Sequence, residues 1–394
     1  MKFHFPMLEP PPGVSNQSWS DWRWQFKSAL QSKSDFEGFF NLSDEELAGF
    51  SGLDQLFRVR VTPYYAELAR QSKYSSQDPI RKMLLPSGRE LAPGSQQMSD
   101  PLGENQHSPV PRIIHRYSDR VLFLVTDFCS VYCRYCLRKH FTAHDQVMVR
   151  GEEYENALSY IASKKGLREV ILSGGDPLTL ADAPLEKILS DLRKIEHIEI
   201  IRIGTRIPVV APQRVTKELV EMLRKYKPVF MMTHFNHPRE LTAQAAEALS
   251  QLVDHGVPVF NQMVLLNGIN NHPALVQALS RRLLYLRVKP YYMFQCDPSE
   301  GTDHLRTSVD ESLAIQKELW GHLSGLAMPN LSLDIPGGGG KVGLVPHFEL
   351  TSSPNERHYR GWDGREGKYI NPPKNTSIQP SDVDEYSPEW ELTK

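Results

Sequence analysis

Between residues 120 and 295, apolar runs of strand length alternate with stretches of helical period. The runs are Val121–Val125, Glu169–Leu172, Ile198–Ile203, Val229–Thr233, Val259–Leu265 and Val288–Phe294. Between them apolar positions recur three and four apart, as in Leu185–Ile195, Thr216–Tyr226, Leu241–His255 and Ala274–Leu286. Strand then helix, six times over, predicts right-handed βαβ units on a parallel sheet. Six units suit a partial, open (βα)6 barrel better than a closed eight-stranded one. A parallel α/β barrel carries its chemistry on the loops after the strands. The polar, glycine-rich and charged motifs of this chain all fall there.

The flanks lack that rhythm. Residues 1–110 read as a mainly helical region with a wrapping linker. Trp19, Trp22 and Trp24 sit at helical offsets behind a possible cap at Ser20 or Asp21. Ser43-Asp-Glu-Glu46 has the form of a capping box, and Thr62-Pro63 that of a helix start. Pro86 to Pro111 is rich in Pro, Ser, Gly and Gln and predicts an extended connection over the next domain. Residues 111–345 form the core. Residues 346–394 read as a C-terminal arm without catalytic content, with polar, turn-rich stretches at Asn371–Thr376 and Ser381–Trp390.

Composition narrows the class. The 394 residues are 40% hydrophobic and 23% charged, enough for a large core, and the formal net charge of -2 gives no basic footprint for nucleic acid. No apolar run reaches the length of a membrane span, and the first residues lack the core of a signal peptide. Three of the four cysteines are bunched, which argues for metal binding in a reducing, cytoplasmic setting and against disulfides.

The bunch is Cys129-Ser-Val-Tyr-Cys133-Arg-Tyr-Cys136, just after the first apolar run. Three thiolates on one short loop can wrap three corners of a cubic iron–sulfur cluster and leave one iron open to a reactant. The fourth cysteine, Cys296, is far along the chain. A zinc site completed by His140 or His144, or chance clustering, are the alternatives.

Ser173-Gly174-Gly175-Asp176 follows the second run, where glycines permit close backbone approach and Asp176 can receive an ammonium group. Arg202-Ile-Gly-Thr-Arg206, Thr233-His234-Phe-Asn236 and Asn261-Gln262 place polar side chains at strand ends, as pocket lining or as satisfied core hydrogen bonds. Asp334-Ile-Pro-Gly-Gly-Gly-Gly340-Lys341 lacks the spacing of a phosphate-binding P-loop. It presents one amine on a close-approaching backbone, a candidate for Schiff-base chemistry with pyridoxal phosphate (PLP), or is a surface glycine turn. Asp297 and Asp334 could share a cation, Arg138 could fork a carboxylate, and Arg116 and Arg120 could meet the PLP phosphate.

The cysteine spacing resembles the signature of radical S-adenosylmethionine (SAM) enzymes. The motifs CSVYCRYCLR, LSGGDPL, RIGTR, THFNHP, KPYYMFQCD and DIPGGGGK together resemble the lysine 2,3-aminomutase family, from Trp19 to about Pro346. The resemblance implies an open barrel of the radical SAM type. It implies a [4Fe–4S] cluster on Cys129, Cys133 and Cys136, and SAM on Gly174, Gly175 and Asp176, to which we add His234 and Gln262. It also implies PLP on Lys341, for whose phosphate Arg116 and Arg120 are our own candidates, and L-lysine held by Arg138 at its carboxylate and by Asp297 and Asp334 at its distal ammonium. The implied reaction is a 1,2-amino shift from lysine to β-lysine, begun by a 5′-deoxyadenosyl radical and driven by reduced flavodoxin or ferredoxin. A homo-oligomer is expected.

One feature departs from the pattern. Well-known members bind zinc through a cysteine after the fifth strand and a C-terminal cysteine cluster. Here His272 stands at the first position and no cysteine follows Cys296. The alternatives are an aminomutase acting on another amino acid, one acting on a lysine destined for translation-factor modification, or an iron–sulfur sensor without turnover. A sensor would have no use for Lys341.

Overall fold

The computed structural model describes residues 3–52, 57–71, 75–92, 94, 96–142, 148–372, 383–384 and 387–392. One nine-stranded sheet follows chain order: β1 Ile113–Tyr117, β2 Arg120–Thr126, β3 Glu169–Gly174, β4 Ile200–Gly204, β5 Val229–Thr233, β6 Val259–Leu265, β7 Lys289–Gln295, β8 Asn330–Ile335 and β9 Gly340–Gly343. Strands β2 to β8 run parallel, while β1 and β9 are antiparallel edges. Helices Gly151–Ser163, Asp182–Arg193, Lys217–Lys225, Ala243–Asp254, Pro273–Tyr285 and Val309–Leu319 make the crossovers. The expected six strand–helix units are therefore present.

The sheet goes further than six strands. β8 adds a seventh parallel strand, paired Tyr292↔Asn330 to Phe294↔Ser332. Its sequence, Asn-Leu-Ser-Leu-Asp-Ile, alternates instead of running apolar, so it left no run to read. The two edges meet through a side chain: the Lys341 amide on β9 donates to the Tyr117 hydroxyl on β1 at 2.9 Å. The barrel is thereby nearly closed.

Period-two alternation divides each strand between two faces. Val170, Leu172, Ile201, Ile203 and Met231 are fully buried, together with Leu189, Leu219 and Leu249 of the crossover helices. Burying each such side chain contributes about 1.5–3 kcal/mol. The alternate residues Glu169, Ile171 and Ser173 on β3, Arg202 and Gly204 on β4, and Gln262 and Val264 on β6 face an internal cavity.

The N-terminal elements form where the caps predict. Asp21 caps Trp22–Lys27, Ser43 and Glu46 form a reciprocal capping box for Asp44–Ser51, and Thr62 caps Pro63–Arg70. Leu8, Trp19, Phe36, Tyr64, Tyr65 and Ile80 belong to the same continuous apolar cluster as the sheet. The Pro86–Pro111 connection crosses the barrel mouth. Met98 bridges Ser299, Pro101 accepts from the Gly337 amide at 2.9 Å, and Leu102 and Glu104 line the cavity.

Past Pro346 the chain forms an antiparallel meander, β10 Glu349–Ser352, β11 Glu356–Arg360 and β12 Glu366–Ile370. It is held by ion pairs such as Arg357–Glu349 at 2.7 Å and Lys368–Glu356 at 2.8 Å, and its exposed polar residues hid it from a search for apolar runs. Of the expected turn-rich stretches, residues 373–376, 381–382 and 385–386 lie outside the described residues, and the end of the second is a short helix, Ser387–Leu392, where turns were expected. No helix among the described residues is long and apolar enough to cross a membrane.

Candidate active site

The barrel encloses a cavity of about 1130 Å³. Pockets for a single drug-sized ligand measure roughly 300–1,000 Å³, so there is room for more than one bound group. Arg116, Arg120, Arg138, His234, Gln262, Asp297, Asp334 and Lys341 all line it. Residues spread from β1 to β9 are thus brought to one space.

The cysteine loop leaves β2 above this cavity. Arg134, inside the loop and fully buried, pins it: Nε and Nη2 reach Glu90 at 2.8 and 2.5 Å, and Nη1 reaches the carbonyls of Phe57 and Arg58, each at 3.0 Å. Cys129, Cys133 and Cys136 are free and half-buried. Burial first, then the negative charge of Asp176 and the neighbouring cysteines, push the Cys129 thiol well up, and burial followed by Cys133 raises Cys136. The three sulfurs therefore sense one another. Three half-buried thiols on one loop fit a cluster, whose positive irons relieve that repulsion. Among the described residues, no three His, Cys, Asp or Glu side chains are placed to hold a single metal ion, and His144 lies outside them. His272 has a different task here: its Nδ1 accepts from the Ala274 amide at 3.1 Å and caps Pro273–Tyr285.

The Gly-Gly-Asp turn has a use the sequence did not show. Gly174 has φ +109, and a Cβ there would collide with the Thr126 carbonyl. A Cβ at Gly175 would lie 2.6 Å from the Phe128 carbonyl carbon. The close approach is thus to the root of the cysteine loop. The Asp176 carboxylate accepts from Thr205 Oγ1 at 2.6 Å, the Arg206 amide at 2.7 Å and the Leu178 amide at 3.0 Å. None of the three lines the cavity. They lock the cysteine loop to the turns after β3 and β4.

His234 and Gln262 do face the cavity. His234 Nε2 is buried without a hydrogen-bond partner. Burial, then the charge of Arg206, depress its imidazole to about 3, so it is neutral and able to meet a ligand.

Toward the start of the strands lies a cationic wall. Arg116 donates to the Leu102 carbonyl, Arg120 pairs with Asp119 at 2.6 Å and stacks over Tyr117, and Arg202 pairs with Glu169. The Nε groups of Arg116 and Arg202 are buried and unpartnered. Such donors fit an anionic group. In the sequence Arg202 is one of several strand-end polar residues, with nothing local to single it out.

The acids cluster around Lys341. Lys341 Nζ donates to Asp334 Oδ2 at 2.6 Å and sits 4.0 Å from the centre of the Phe294 ring. Asp297 is pushed up to about 7, first by burial, then by the charge of Asp334, with Lys341 and Arg138 opposing. At Asp297, burial and the neighbouring carboxylate thus outweigh the two cations. Arg138 is engaged by Glu104, with Nε at 3.0 Å to both oxygens and Nη2 at 2.7 Å, while its Nη1 reaches Ser173 Oγ at 3.2 Å. Glu104 was missed because it comes from the irregular connection over the mouth, where no periodicity marks a residue as inward-facing.

A nearly closed parallel barrel, a three-cysteine loop after its first parallel strand and a lysine on its last strand define the class. Residues 123–276 match the radical SAM superfamily, and residues 316–392 match the family described as lysine-2,3-aminomutase. The chain is 42% identical over 382 residues to L-lysine 2,3-aminomutase of Fusobacterium nucleatum, covering 97% of this chain and 89% of that protein. It is 41% identical to the Bacillus subtilis L-lysine 2,3-aminomutase, covering 98% and 81%, and 37% identical to a glutamate 2,3-aminomutase of Clostridioides difficile, covering 89% and 82%. The protein belongs to the lysine 2,3-aminomutase family of radical SAM proteins.

Proposed function

We propose that this protein interconverts L-lysine and L-β-lysine by moving the 2-amino group to carbon 3. The observation that carries this reading is the pair Asp297 and Asp334 beside Lys341 in the cavity, with Asp297 pushed up to about 7 by burial and by the charge of Asp334. A substrate with a distal ammonium supplies a further cation there. Relatives named for L-lysine support the reading. One relative is named for glutamate, but a glutamate side chain would set a third carboxylate against these two.

The family's groups are a [4Fe–4S] cluster, SAM and PLP. When bound, they supply a carbon radical that takes a hydrogen atom and an electrophile on which an amino group can migrate. The residues position and shield. In our reading Cys129, Cys133 and Cys136 hold the cluster, and Gly174, Gly175 and Asp176, which also fix the loop, take SAM together with His234 and Gln262. Arg116 and Arg120, in the same wall as Arg202, take the PLP phosphate. Lys341 carries PLP, and leaving its pair with Asp334 makes that carboxylate available to the substrate ammonium. Arg138 binds the substrate carboxylate through the guanidinium face that Glu104 does not occupy. The Leu102–Glu104 segment over the mouth keeps water from the reacting atoms. Reduced flavodoxin or ferredoxin would provide the electron. A cytoplasmic setting suits the free thiols, and exposed Trp362, Tyr369 and Ile370 on the meander suit a homo-oligomer.

The test is an anaerobic assay of reconstituted protein with SAM, PLP and dithionite, offering lysine and glutamate separately. β-Lysine formed from lysine alone is the expected product. β-Glutamate formation, or no product from either, overturns the reading.

A further inference from the structure

Cys133 differs from its two neighbours. Its Sγ accepts a hydrogen bond from Arg206 Nη1 at 2.9 Å, and among the described residues it is the only one of the three sulfurs bonded to a cationic side chain. Arg206 is held firmly from its other side. Nη2 donates to Tyr65 Oη at 2.7 Å and to Glu240 Oε1 at 2.8 Å, and Tyr65 donates to the same Glu240 oxygen at 2.6 Å. The second Glu240 oxygen accepts the amides of Asn236 at 2.6 Å and His237 at 2.9 Å. The Tyr65 and Tyr135 rings lie 5.0 and 5.5 Å from the guanidinium carbon. Arg206 is 8% exposed and Glu240 0%. The chain thus places a fixed cation on one sulfur of the loop and a fixed anion one hydrogen bond further out.

Such an arrangement exceeds what anchoring requires. Arg134 and Glu90 already tether the loop, and Asp176 already ties down the Arg206 backbone. A charge-assisted hydrogen bond to a cluster thiolate, made away from water, favours the state that carries one more negative charge. Arginine suits the task because its charge does not depend on pH in the working range.

We infer that Arg206, acting through Cys133, raises the reduction potential of the cluster held on the cysteine loop, and that Glu240 limits the rise. This rests on the cluster assignment made above. Arg206 is a positioning and tuning residue in this scheme, since it touches a ligand of the cluster and not the substrate. The consequence is a cluster brought within reach of a mild one-electron donor.

The test is a mediated redox titration of the reconstituted holoprotein without substrate, followed by electron paramagnetic resonance of the reduced cluster. Iron and sulfide content are measured in parallel. Arg206→Met should shift the equilibrium at least tenfold toward the oxidised cluster, about 59 mV for a one-electron couple. Arg206→Lys should shift it less in the same direction. Glu240→Gln, which leaves the guanidinium uncompensated, should shift it the opposite way. An arginine that only supports the fold would alter iron loading while leaving the potential of the loaded fraction in place. Potentials within twofold of wild type for Arg206→Met, or a Glu240→Gln shift of the same sign, overturn the inference. If Arg206→Met takes up no cluster, opposite shifts in Arg206→Lys and Glu240→Gln support it, and shifts below twofold in both overturn it. Wild-type protein that takes up no cluster overturns the assignment and the inference together, whereas loaded protein with unmoved potentials overturns the inference alone.

Discussion

Asp297→Asn should make the ligand-free protein more stable and nearly inactive at once. The wild-type carboxyl is moved from its ordinary 3.8 to about 7 by burial and by the charge of Asp334. At about 1.36 kcal/mol per pH unit, ionising it in the folded protein costs about 4 kcal/mol. Because the folded state holds this proton more tightly than the unfolded chain, stability from this group is greatest below pH 3.8. It is lost as pH rises to about 7 and is level above that. Asparagine keeps the shape and removes the ionisation. The gain from Asp297→Asn should therefore be small near pH 4, about 2 kcal/mol at pH 5 and about 4 kcal/mol at pH 8. Thermal unfolding of protein stripped of PLP, run across that range, should show midpoints separating by several degrees as pH rises. The same variant leaves the substrate ammonium with one acid. Breaking a buried pair costs roughly 3–5 kcal/mol, so kcat/KM for lysine should fall on the order of a hundred- to a thousand-fold. Unfolding midpoints of variant and wild type that stay parallel from pH 5 to pH 8 would refute the reasoning, because the carboxyl would then be ionised at no cost.

Asp334→Asn should also weaken lysine turnover with cluster and PLP loading intact, and its effect should be non-additive with Asp297→Asn, since both acids act on one charge. Wild type should discriminate against norleucine far more than the double variant does, and equal discrimination would show that something else reads the side chain. Borohydride reduction followed by peptide mapping should put the pyridoxyl label on Lys341, and a label elsewhere with Lys341→Ala still active contradicts its role. Cys296→Ser should leave iron content unchanged while Cys133→Ala lowers it. Gly175→Ala should cost about 1–3 kcal/mol and reduce iron loading, because its Cβ falls 2.6 Å from the Phe128 carbonyl carbon at the root of the cysteine loop. Activity should survive chelation and dialysis without stoichiometric zinc, as His272 is committed to a helix cap.

Local pattern determined a large part of this protein. The six strand–helix units were legible because each crossover strand is buried on its helix side and so must be written in apolar residues. The caps at Asp21, Ser43 and Thr62 were legible because a cap is a contact within three residues. The three-cysteine loop and the glycine run before Lys341 were legible for the same reason: their chemistry is concentrated in one short segment. β8 and the β10–β12 meander were not, since strands with alternating or exposed residues carry no apolar run. The pairings of the site were decided only by the tertiary structure. Arg138 meets Glu104 across 34 positions, Arg206 meets Cys133 across 73, and the Lys341 amide meets Tyr117 across 224. The turn Gly174, Gly175 and Asp176 was legible as a close-approach segment, but its packing against Thr126, Phe128 and Thr205 was decided by the fold. A side chain's type is written in the chain, but the partner that spends its hydrogen bonds and sets its charge is chosen by which strands become neighbours in the sheet.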